Sequence, residues 1–186
     1  MVRIALAAAL ALGAAAAHGA TVEEKAAACA ACHGLNGIPE DRATPIIWGQ
    51  NAGYLYIQFR DFQKGARSDD RMTPVARNLV KDDALALAEY FAARPWPKTG
   101  APPASKAETE TAAAAAKSEA CASCHRAEFR GDASVPRLAG QQRDYLVKTM
   151  TEFRSRARIN NPDMSDLLHP FAPEELSAIA AYLAGM

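Results

Sequence analysis

Cysteine is scarce in this 186-residue chain, four in all. The four are confined to two short segments, which leaves none for a disulfide framework or a separate catalytic thiol. An excess of charge of one sign is also missing. The 21 Lys and Arg residues balance 21 Asp and Glu, which disfavours a nucleic-acid-binding role. Long apolar runs are absent apart from Ile4 to Ala17, 14 residues, shorter than the roughly 17 to 25 that span a bilayer. The chain has no phosphate-binding glycine loop, no nucleophile elbow and no repeated acidic metal motif. No segment alternates convincingly enough for a strand, so the expected class is all-α.

What is present is a repeated constellation. Cys29-Ala30-Ala31-Cys32-His33 and Cys121-Ala122-Ser123-Cys124-His125 stand 92 residues apart. Each histidine is followed 39 residues later by a methionine, Met72 and Met164. Cysteines at i and i+3 project from one face of a helical turn, so both thiols reach the two vinyl groups along one haem edge. The next residue carries an imidazole under the iron. Cys-x-x-Cys-His therefore reads as a c-type haem site, twice over, with two covalently attached haem c groups implied. Zinc ribbons need a second close ligand pair, which neither motif has. A thioredoxin-type disulfide expects a preceding strand and leaves the histidines idle.

The N-terminus bears on where such a haem is attached. Arg3 precedes the apolar run, and small residues from Ala15 to Ala20 offer cleavage sites, the pattern of a secretory signal. The expected organisation is a signal over 1–20, a first domain over 21–94, a proline-rich linker over 95–106 and a second domain over 107–186. Each half is small enough to be marginal on a polypeptide core alone, and a tethered apolar macrocycle acts as added core.

The duplication runs beyond the motifs. Pro45-Ile46-Ile47-Trp48-Gly49-Gln50 pairs with Pro136-Arg137-Leu138-Ala139-Gly140-Gln141, and Tyr54-Leu55 with Phe62 pair with Tyr145-Leu146 with Phe153, at an offset of 91. Thr21 with Glu24 has capping-box spacing and predicts a helix running to Cys29; Ala107 to Ala120 lead to Cys121 in the same way. Middle helices are expected over about 51–63 and 142–153, with Tyr54, Leu55, Gln58, Phe59 and Phe62 largely on one stripe. Final helices are expected over about 82–93, with Asp82 as a candidate cap, and 173–183, with Pro173 in the first turn. Four prolines between Pro95 and Pro103 predict an extended, semi-rigid connection.

With these residues in view, each half resembles a class I cytochrome c, and the pair resembles the dihaem cytochrome c4 family over essentially the whole mature chain. The resemblance implies that His33 with Met72, and His125 with Met164, are the axial ligands of two haem irons. It implies that the carbonyls of Pro45 and Pro136 orient the two proximal imidazoles. It further implies an electron carrier, not an enzyme. The carrier would be periplasmic and monomeric, between a quinol-oxidising complex and a terminal oxidase or reductase, with peripheral docking to membrane complexes. Two other readings stay open: a dihaem subunit accepting electrons from a bound flavoprotein dehydrogenase, and a peroxidase-type enzyme with one open site.

The ligand spacing also stands by itself. Met72 is the only methionine between His33 and the linker, and no other histidine lies there. In the second half Met150, Met164, Met186 and His169 compete, and the matched spacing favours Met164. Met150 aligns with Phe59 on the middle helix and suits core packing. His169 aligns with Arg77 and suits a surface loop. Trp48, Tyr54 and Tyr145 are expected near the haem-facing core. Asp69-Asp70 and Asp82-Asp83 suit solvated or capping roles. Lys64, Arg67 and Arg71 before Met72, and Arg154, Arg156 and Arg158 before Met164, leave two readings: loops that dock an acidic redox partner, or a solvated surface with arginine holding haem propionates.

Overall fold

The computed structural model describes residues 20–115 and 119–186; the secretory-signal reading falls on residues outside this range apart from Ala20. Helix α1, Val22–His33, starts from a capping box: Thr21 Oγ1 accepts from the Glu24 amide at 3.3 Å and Glu24 Oε2 accepts from the Thr21 amide at 2.8 Å, satisfying two orphan donors. It stops at Gly34, φ +86°, where a Cβ would lie 2.1 Å from the Ile38 carbonyl oxygen. At this position a Cβ would collide with backbone, so glycine is what this half uses for the turn.

Helices α2 (Ala52–Lys64), α3 (Met72–Arg77) and α4 (Lys81–Ala92) complete the first half. Helix α2 ends in left-handed Gly65, φ +74°, as glycine C-caps do. Asp82 is not the cap of α4. Val80 holds that position in extended conformation, and Asp82 and Asp83 sit in the first turn, where carboxylates favour the positive end of the helix. Asp83 also pairs with Lys25 of α1 at 2.6 Å. Leu55, Phe59, Leu87 and Phe91 from α2 and α4 form the centre of an apolar cluster.

The second half repeats this plan. Helices α5 (Lys106–Ala115) and α6 (Glu119–His125) precede a single 3-10 turn, Ala127–Phe129. Helices α7 (Arg143–Arg154), α8 (Pro162–Leu168) and α9 (Pro173–Ala184) follow. The two methionines open or enter short helices. Met72 is the first residue of α3, and Met164 lies in the first turn of α8, its amide donating to Asn161 Oδ1 at 3.2 Å. Six- and seven-residue helices are too short to announce themselves by periodicity. Leu146, Met150, Phe153, Leu176 and Ile179 form a second apolar cluster. Among the described residues strand pairing is limited to one isolated bridge, Asp132 with Val135, and no helix is long and apolar enough to cross a membrane.

The two halves meet reciprocally. The Tyr54 amide donates to the Ala133 carbonyl and the Tyr145 amide to the Arg42 carbonyl, each at 3.1 Å. The connection between the halves is packed against both. A Cβ at Gly49 would meet the Trp96 backbone nitrogen at 2.8 Å, and one at Gly140 would meet Trp96 Nε1 at 2.9 Å. Arg137 stacks over the Trp96 ring, 4.5 Å from its centroid.

Candidate functional site

Each Cys-x-x-Cys-His segment ends a helix, and each histidine is turned inward. His33 is 6% exposed and His125 7%. His33 Nδ1 lies 2.8 Å from the Pro45 carbonyl oxygen, and His125 Nδ1 lies 3.0 Å from that of Pro136. A carbonyl only accepts, so Nδ1 carries the proton and Nε2 keeps its lone pair. Burial lowers both imidazole pKa values, against the opposing effect of the proline carbonyls. Both rings are thereby neutral and in the tautomer in which Nε2 could serve a metal.

The thiols stand on the turn before. Cys29 and Cys121 are half-buried, Cys32 and Cys124 exposed, and none is in a disulfide. Burial first, and the nearby Cys32 second, push the Cys29 thiol up. Met72 packs on the first apolar cluster and Met164 on the second, both partly buried. Asp69 ties the Met72 turn down by accepting from the amides of Arg71 and Met72 at 3.0 Å each. Among the other candidates, Met150 is core and Met186 exposed. His169 lies exposed at the end of α8.

The loop arginines divide. Arg71 pairs with Asp41 at 2.9 Å and Arg156 with Asp166 at 2.7 Å, as surface residues do. Arg67 and Arg158 turn into the interface instead, which removes them from any exposed docking loop. Arg67 donates to Gln58 Oε1 at 2.9 Å and to the Tyr145 hydroxyl at 3.1 Å. Arg158, 4% exposed, donates to the same Gln58 oxygen at 2.8 Å, and its Nη1 is buried without a partner. Among the described residues neither guanidinium forms an ion pair. Burial raises the Tyr145 phenol, but the Arg67 and Arg158 charges outweigh it and draw the group below the ordinary phenol range. The sequence leaves these arginines between a docking loop and a surface that holds haem propionates; their equivalent positions, 91 residues apart, are its signal of a shared role.

The group implied by these motifs fits what is here. Paired thiols, neutral imidazoles with Nε2 available, apolar surroundings and a buried cationic face lacking its anion match the thioether edge, iron, macrocycle and propionates of a haem. Two such sites on tandem helical units define a dihaem c-type cytochrome.

Comparison with known proteins agrees. The Cytochrome c family model matches residues 109–186. Cytochrome c4 of Pseudomonas aeruginosa is 32% identical over 88% of this chain and 86% of its own length. The thiosulfate dehydrogenase electron acceptor of Stutzerimonas stutzeri is 34% identical over 87% of this chain and 80% of its own. The structure of Acidithiobacillus ferrooxidans cytochrome c4 superposes with a TM-score of 0.77, at 28% identity, covering 86% of this chain and 99% of that one. The chain belongs to the cytochrome c4 family, carries two covalently bound haem c groups and functions in electron transfer.

Proposed function

We propose that this protein is a periplasmic carrier that accepts and donates single electrons through two equivalent sites, in units spanning 21–94 and 107–186 joined by 95–106. Cys29 and Cys32 form the thioethers of one site, and Cys121 and Cys124 those of the other. His33 with Met72, and His125 with Met164, ligate the two irons. Pro45 and Pro136 orient the imidazoles. The observation that carries this reading is the twofold recurrence of a buried histidine whose Nδ1 donates to a proline carbonyl directly after a Cys-x-x-Cys helix.

A haem held this way supplies a reversible one-electron couple at iron. The chain's own part is to keep both imidazoles neutral and fixed, to exclude water with the two apolar clusters, and to offset the propionate charge with Arg67 and Arg158. Met72 and Met164, as the further protein ligands, would leave no open place for dioxygen or peroxide, which favours a carrier over an enzyme. The apolar run from Ile4 to Ala17 supports export. The donor and acceptor are redox proteins, a quinol-oxidising complex and a terminal oxidase or reductase. A second reading, electron acceptor of a bound dehydrogenase, is favoured by the Stutzerimonas stutzeri relative's name; co-purification with a stoichiometric enzyme partner selects it.

Carbon monoxide binding to the fully reduced protein, scored per haem in the visible spectrum, tests the ligand sets. Neither haem of the native protein is expected to bind it readily, and Met72→Ala and Met164→Ala each open one site. Rapid stoichiometric binding at one native haem would overturn the carrier reading for that half.

A further inference from the structure

The proline carbonyl that holds each proximal histidine belongs to a peptide unit whose other end is held from across the interface. The Pro45 carbonyl accepts from His33 Nδ1, and the same peptide's N–H, that of Ile46, donates to Gln141 Oε1 at 2.8 Å. Gln141 Nε2 returns a bond to the Ile46 carbonyl at 3.0 Å. The mirror arrangement is complete: the Pro136 carbonyl accepts from His125 Nδ1, the Arg137 N–H donates to Gln50 Oε1 at 2.8 Å, and Gln50 Nε2 donates to the Arg137 carbonyl at 3.0 Å. Both glutamines are 3% exposed. Each carboxamide oxygen also accepts from the following backbone amide, Asn51 or Gln142, at 2.9 Å. Turning either amide over would break all three bonds, so oxygen and nitrogen are placed unambiguously.

We propose that Gln141 is a positioning residue for His33, and Gln50 for His125, so that each half tunes the proximal ligand of the other. This rests on the reading of His33 and His125 as iron ligands. The physical link is polarisation along a hydrogen-bonded chain. An amide whose N–H is engaged carries a more negative carbonyl oxygen. That oxygen draws the imidazole Nδ1–H more strongly, which raises the basicity of Nε2 toward iron. A more basic ligand favours the oxidised state and lowers the reduction potential, second-shell hydrogen bonding being one of the levers on haem potential. The glutamines also lock the peptide plane, so the proline carbonyl cannot rotate away from the ring.

The test uses the holoprotein labelled with ¹⁵N-histidine, in its reduced, diamagnetic state, with each haem's potential measured separately. In Gln141→Met the His33 Nδ1–H proton is expected to move upfield and the first haem's potential to rise, while His125 and the second haem stay near their native values. Gln50→Met is expected to do the converse. Gln141→Glu retains an acceptor oxygen for the Ile46 amide and is expected to return the His33 proton downfield of its position in Gln141→Met. Shifts confined to the histidine of the substituted half, or equal in both, would overturn the proposal. So would unchanged Nδ1–H signals in both variants.

Should the variants fail to retain haem, hydrogen exchange on the native protein decides. The Ile46 and Arg137 amides are expected among the slowest to exchange, and rapid exchange at either would overturn the proposal. A failure of the ligand assignment looks different: His33 or His125 Nε2 of the native protein would then lack the ¹⁵N shift of an iron-bound nitrogen.

Discussion

At two matched turns the halves take a positive φ on different residues. After the first motif histidine the chain reverses at Gly34, φ +86°; after the second it reverses at Arg126, φ +64° and ψ 177°. At the end of the middle helix Gly65 takes φ +74°, and its equivalent region turns at Arg156, φ +58°. The second half also holds Glu128 and Phe129 at φ of +53° and +52°. Conformations of this kind cost a residue with a Cβ of order 1–3 kcal/mol each. They persist because neighbours over-determine them. Arg156 is anchored to Asp166, and the His125 carbonyl accepts from Gly131 at 2.7 Å, closing the loop that places Pro136. The geometry that follows each motif histidine is therefore set by the architecture around it. Glycine is one way of meeting it, not a precondition.

Core truncation tests most strongly whether the halves differ in stability as well as in turns. Leu87 and Leu176 are each 1% exposed, and Leu87→Ala and Leu176→Ala are each expected to cost roughly 2–5 kcal/mol. Because buried bonds join the halves, calorimetry of either variant should show one lowered transition. Two separated transitions would mean that the halves melt independently. The turns come next. Gly34→Ala drives a methyl group into the Ile38 backbone and is expected to destabilise by about 3 kcal/mol, whereas Arg126→Gly relieves left-handed strain and should stabilise by about 1 kcal/mol. Chemical denaturation gives both numbers, and an unstable Arg126→Gly would show that the arginine side chain outweighs its backbone.

The buried arginines sharpen the comparison further. Arg158→Gln removes a charge-assisted bond to Gln58 and is expected to cost about 2 kcal/mol. Arg67→Gln, at a less buried site, should cost less; equal losses in denaturation would mean that the two positions are equivalent in energy as well as in sequence. The smallest effect is electrostatic and one-sided. Asp69 pairs with Lys148 across the interface at 2.9 Å, while its counterpart Asn160 donates to Asp61 at 2.6 Å. Burial opposes ionisation of Asp69, but Lys148 and the amides of Met72 and Arg71 prevail and hold its pKa at about 2. A depressed folded pKa favours the fold most where the carboxylate is charged. The contribution is full above about pH 4 and is lost as pH falls through 2. After solvent screening it is worth about 1 kcal/mol. The stability gap between native protein and Asp69→Asn should close over that range, and a gap unchanged from pH 7 to pH 2 would remove the ion pair as its source.

Local chemistry was the legible part. The Thr21–Glu24 box and the first-turn Pro173 each act over a few residues, and each appears in the structure where the spacing predicted. Asp82 shows where local rules run short: an acidic residue near a helix start fits both a cap and a first turn, and the path of the chain from Asn78 decides between them. The short helices carrying Met72 and Met164 were invisible for a related reason. Six or seven residues nucleate only against α2 or α7, so their helicity is a property of packing.

By itself the sequence determined the haem chemistry, the duplication and the all-α class, because these depend on residue types at small separations. Tertiary structure decided that Gln50 and Gln141 reach across to the opposite half, and that Arg67 and Arg158 leave the surface to share Gln58. The bonds that Gln50, Gln141, Arg67 and Arg158 make across the interface join residues 78 to 100 positions apart, and no local spacing encodes them. They exist because two copies of one fold meet face to face, where buried polar side chains such as Gln50 and Gln141 find partners on the other copy.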